Sequence, residues 1–62
     1  MGKWTYEDFR KEVKKNLIQM KSLFTIDVSD TTTENALELV EWAKKDNFKA
    51  ELHNGYVEIS IF

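Results

Sequence analysis

Apolar and polar positions alternate along this chain with two different periods, and the changes of period mark its elements. Tyr6, Phe9, Val13, Leu17 and Met20 recur at steps of three and four residues, the stripe of an amphipathic helix. Thr5 precedes them as an N-cap with Asp8 three positions on, and Trp4 and Phe9 have hydrophobic-staple spacing. The spacing predicts a first helix over about residues 6–20. Leu23 to Val28 then alternate strictly, with Phe24, Ile26 and Val28 on one side. That is the period of a half-buried strand. Thr31 and Glu34 have capping-box spacing and open a second helix over about 32–46, whose inner face is Ala36, Leu39, Val40 and Ala43. Leu37 and Trp42 flank that face, with Trp42 read as a lid over the core edge. Asn47 suits the left-handed position after the last turn.

The C-terminal stretch is the most specific. Asn54-Gly55 is the preferred pair of a two-residue type I′ hairpin. Closing the turn there pairs Phe48 with Ile61, Ala50 with Ile59 and Leu52 with Val57, all apolar. The opposite face receives Lys49 with Ser60, Glu51 with Glu58 and His53 with Tyr56. A one-residue slip would scramble both faces, so the register is strongly specified. The last strand is the richest in β-formers and is placed centrally. The expected fold is α+β: a two-layer α-β-α-β-β domain with a three-stranded sheet in the order 1-3-2 and both helices on one face. The strand 23–28, helix and strand 48–53 form a crossover expected to be right-handed. The predicted core is Phe9, Val13, Leu17, Phe24, Ile26, Val28, Ala36, Leu39, Val40, Ala43, Leu52, Val57, Ile59 and Ile61.

From Leu23 onward this order resembles the C-terminal part of the sulfur-carrier (TusA/SirA-like) fold, itself similar to initiation-factor-3 C-terminal domains. The matching features are the strand ending at Asp30, the helix after it and the terminal hairpin, about two-thirds of the chain. The first strand and the Cys-Pro motif that carry that family's chemistry are absent, so the resemblance implies topology and no persulfide transfer.

Composition narrows the function classes. Sixty-two residues make one domain, and 42% hydrophobic with 32% charged residues is ordinary for a globular chain. A chain this short spends its apolar side chains on one core, leaving little scaffold for a deep catalytic pocket. There is no cysteine and a single histidine, His53, so thiol chemistry and the histidine clusters of most catalytic zinc sites are missing. The expectation is a protein that is not an enzyme and has no cofactor and no metal site. No apolar run has the length of a membrane span, no signal-peptide core precedes the first helix, and Tyr6 stands where an N-myristoylation motif wants Ser or Thr. A cytoplasmic location without membrane association is expected.

Charge divides the chain. Residues 1–22 hold six basic against three acidic residues, net +3, and residues 23–62 hold three basic against eight acidic, net −5. Each pole offers a surface. On the open sheet face, Glu51 and Glu58 oppose each other, Asp27 projects to the same side, and His53, Tyr56 and Phe62 lie at its ends. Opposed carboxylates repel, so the face is a solvated one eased by Lys49, a docking surface for a basic or cationic group, or a metal site of these carboxylates with His53, a reading that no metal-ligand spacing in the sequence supports. Along the first helix, Arg10, Lys11, Lys14, Lys15 and Lys21 form a basic flank that either tracks phosphates or is a solvated face held by Glu7→Lys11 and Glu12–Lys15 pairs.

The leading expectation is a non-catalytic binding or regulatory protein of bacterial or phage type, acting through protein–protein contacts with a partner that carries a basic surface. The alternatives are a nucleic-acid-binding module using the basic helix, and a designed scaffold without a biochemical role. Agreement between caps, staple and turn is also what design produces.

Overall fold

The computed structural model describes residues 3–61. Helix α1 spans Tyr6–Ile18, strand β1 Leu23–Asp27, helix α2 Thr33–Lys45, strand β2 Lys49–His53 and strand β3 Tyr56–Ser60. The sheet order is β1-β3-β2, and β3 runs antiparallel to both neighbours. The hairpin register is the one the apolar pairing demands: Ala50 opposite Ile59, Leu52 opposite Val57. On the other side of β3, Phe24 faces Ile59 and Ile26 faces Val57. The fold is therefore the expected α+β arrangement, with the helices packed on one face of the sheet.

Between the layers lies one core. Phe9 and Val13 of α1, Ala36, Leu39, Val40 and Ala43 of α2, and Phe24, Ile26, Val28, Val57 and Ile59 of the sheet segments are buried together. Leu52 and Ile61, expected inside, are only partly buried; Phe48, Ala50 and both tryptophans pack beside them at the core edge. Phe48, Ala50, Leu52 and Ile61 lie on the outer strand β2 or just beyond a strand end, and the tryptophans belong to the helical layer. Trp42 does close the core edge, meeting Tyr6 edge-on at 5.7 Å and Phe9 at 6.0 Å between ring centroids.

Leu17, expected in the core, is 48% exposed, while Asn16 beside it is buried. The inward positions of α1 are Phe9, Val13 and Asn16, a run of steps four and three. Leu17 lies about three turns along the helix from Tyr6 and shares its half-exposed flank. Asn16 tolerates burial because its Nδ2 donates to the Glu12 carbonyl at 2.8 Å. Such a bond removes most of the cost of burying an amide.

Both helices end in the same device. After α1, Met20 has φ 61°, Lys21 N donates to Asn16 O and Met20 N to Leu17 O, both at 2.9 Å. After α2, Asn47 has φ 66°, Phe48 N donates to Ala43 O at 2.9 Å and Asn47 N to Lys44 O at 3.0 Å. These are Schellman closures, which place one residue in the left-handed region. Asn47 suits that region, as expected. Met20 does not, and its presence there shortens the predicted helix 6–20 by two residues. Because Met20 is 92% exposed, Met20→Gly removes no packing. The substitution is expected to raise stability by about 0.5–1 kcal/mol, seen as a higher urea midpoint with unchanged slope.

Two local readings are corrected. The N-cap of α2 is Thr32, whose hydroxyl accepts from Asn35 N, so the Thr31–Glu34 capping box does not form and the helix starts at Thr33. Thr31 Oγ1 instead donates to Asn35 Oδ1 at 2.7 Å. In the hairpin turn, Gly55 has φ 91° but Asn54 is not in the left-handed region. A single positive φ at the second turn residue is the pattern of a type II turn, where type I′ needs two. The Gly55 carbonyl accepts from Val28 N at 3.0 Å, tying the turn to the chain leaving β1.

Candidate functional site

The face of the sheet away from the helices carries three rows of three residues. Antiparallel register sets Leu23, Ser60 and Lys49 in one row, Thr25, Glu58 and Glu51 in the next, and Asp27, Tyr56 and His53 in the third. Neither helix covers these rows. Alternation alone explains why they are together, since residues two apart on a strand share a face.

Glu51 and Glu58 face each other in the central row as expected, but Lys49 does not ease their repulsion. Among the described residues no ion pair joins Lys49 to either; the His53 imidazole lies against both carboxylates instead. Its Nε2 lies 3.1 Å from Glu51 Oε1 and 3.1 Å from Glu58 Oε1, and the Glu58 contact has hydrogen-bond geometry. The imidazole stacks on Tyr56, with 4.9 Å between ring centroids and 17° between planes. Four of the expected site residues therefore form one connected group: Tyr56 supports the ring, and the ring bridges both carboxylates.

That bridge was available in the spacing. Glu51 and His53 are two apart on β2, and Glu58 is the diagonal cross-strand neighbour of His53, within reach of long side chains. Thr25 and Leu23, not singled out from the sequence, complete the rows, and Leu23 adds exposed apolar surface beside Ser60.

Asp27 is on this side but is committed elsewhere. Its Oδ1 accepts from Ser29 N at 2.9 Å and from Ser29 Oγ at 2.7 Å. Those two bonds, the backbone one foremost, hold its carboxyl below the ordinary aspartate value. Its first task is the turn that ends β1. Phe62 lies outside the described residues.

The basic flank of α1 is less free than its sequence implies. Arg10 Nη1 binds Asp46 Oδ2 at 2.8 Å, linking α1 to the end of α2. Lys15 approaches Glu12 at 3.6 Å, as expected, whereas the Glu7–Lys11 pair does not appear among the ion pairs of the described residues. Lys11 and Lys14 are exposed on the helix, and Lys21 belongs to its C-terminal closure. The five basic side chains thus do not present one uniform strip.

No helix among the described residues is long and apolar enough to cross a membrane. Together these features define a class: a small α+β domain whose uncovered sheet face bears a histidine-bridged pair of carboxylates. Comparison with protein-family models, with curated proteins and with solved structures finds no match to this chain.

Proposed function

We propose that the chain is a non-catalytic binding protein that docks a partner protein through the open sheet face. The observation that carries this reading is the Glu51–His53–Glu58 group standing on a face no helix covers. Two carboxylates held opposite each other are unfavourable without a compensating positive group, and a lysine or arginine of a partner supplies one. Exposed Tyr56 and Leu23 at the two ends of the face add apolar contact. Aromatic residues flanked by polar ones are common anchors of such interfaces. The partner expected is a protein with a basic surface.

Glu58→Gln tests this. Gln keeps the shape and can still hydrogen-bond His53, while one of two opposed charges disappears. Stability is expected to hold or rise by a few tenths of a kcal/mol. Affinity for the partner captured by the parent chain is expected to fall several-fold, with the loss shrinking as salt is raised. A Glu58→Gln variant that binds that partner as tightly as the parent removes the docking face. Lys14→Gln is the parallel control. Should it alone abolish binding, with heparin retention that collapses steeply with salt, the basic helix is the working surface and nucleic acid the ligand.

A further inference from the structure

We propose that Glu51, His53 and Glu58 form a binding site for one divalent transition-metal cation of the zinc class. The inference does not depend on the docking reading, since it requires no partner. The three side chains each offer one donor atom, and these atoms all lie within 4.8 Å of one another. In a tetrahedral zinc site, bonds of about 2.0–2.2 Å place neighbouring donors roughly 3.4 Å apart. The two separations from His53 Nε2, both 3.1 Å, are close to that value. Both glutamate side chains reach solvent, so rotation about their own bonds can draw the carboxylate oxygens toward a common centre.

The donor set argues for the metal class. One imidazole with two carboxylates suits zinc and its first-row neighbours, whereas magnesium and calcium prefer all-oxygen shells. Charge agrees, because two carboxylates balance a dication. The hydrogen bond from Nε2 to Glu58 is replaced on binding: His53 ligates through unprotonated Nε2 and carries its proton on Nδ1. Stacking on Tyr56 fixes the ring plane in advance, so little ordering of the histidine is needed. Three protein ligands on an uncovered sheet face leave a fourth position toward solvent, filled by water or by a donor from outside.

The decisive experiment is titration of the full chain with zinc chloride, followed by calorimetry and by the His53 imidazole resonances in NMR. One cation per chain is expected, with saturation at micromolar zinc and a shift of the His53 signals that parallels the heat. His53→Gln and Glu58→Gln are each expected to weaken binding by about tenfold or more, and Asp30→Asn to leave it unchanged. Magnesium in large excess is expected not to compete. Zinc binding that survives His53→Gln unaltered overturns the site, as do His53 resonances that stay unmoved through millimolar zinc in the parent. The second readout uses no variant, so a substitution that failed to fold would not rescue the proposal. Because zinc alone is the probe, failure here leaves the docking face standing, and loss of partner capture leaves the metal site standing.

Discussion

Leu39→Ala is expected to cost about 2–5 kcal/mol, the range for deleting a fully buried leucine side chain. Leu39 is 0% exposed and lies at the centre of the inner face of α2, among Phe9, Ile59 and Val57 as the largest fully buried side chains. A domain of this length has a total stability of roughly 3–9 kcal/mol, so the loss takes from about a fifth of it to all. At roughly 4–8 °C per kcal/mol, the melting temperature drops by about 10 °C or more, or no cooperative transition remains. Leu37→Ala on the same helix is the control. Leu37 is 49% exposed, and truncating it is expected to change stability by no more than about 0.5 kcal/mol. Equal effects from the two substitutions, measured by urea unfolding, would mean that α2 does not face the sheet through Leu39.

The elements with strong local signals are readable from the order of residues alone. Asn54-Gly55 and the apolar pairs on both sides of it dictate the hairpin register, and that register places Val57 and Ile59 in a central strand. The staple and cap at Trp4 and Thr5 mark the start of α1, where the Thr5–Asp8 capping box forms. Weaker are the places where two neighbouring residues compete for one role. Three consecutive threonines offer three caps to α2, and Thr32 wins because Asn35 then points inward. Leu17 and Asn16 compete for the last inward position of α1, and hydrophobicity alone favours the wrong one. Met20 in a left-handed conformation carries no propensity signal, since that signal belongs to glycine and asparagine. At the candidate site the residue set was legible from strand parity. Its connection through His53 depends on rotamers, which pattern does not encode, although the diagonal spacing permitted it.

Asn35 is the polar counterpart of Leu39, and its substitution tests how the N-terminal segment is held. The side chain is 2% exposed and uses its full hydrogen-bonding capacity. Oδ1 accepts from Trp4 N at 2.6 Å and from Thr31 Oγ1 at 2.7 Å. Nδ2 donates to Trp4 O at 2.9 Å and to Glu38 Oε1 at 3.0 Å. Two protons and two lone-pair directions are all an amide has, so no other residue reproduces the pattern. Asn35→Ala leaves both backbone groups of Trp4 without their partner and is expected to cost on the order of 1–3 kcal/mol. Asn35→Asp keeps the shape but turns the donor into a second acceptor, aimed at the Trp4 carbonyl and the Glu38 carboxylate. Burying that charge beside another is worse than losing the amide, so Asn35→Asp is expected to be the less stable of the two at neutral pH. Lowering the pH protonates the new carboxyl and should narrow the gap between them. Trp4 reports locally: both variants are expected to make its indole more accessible to an aqueous quencher, while Trp42, packed on Phe9, stays protected. Asn35→Asp at least as stable as Asn35→Ala at neutral pH, with Trp4 still shielded, would show that this hub does not anchor the chain entering α1.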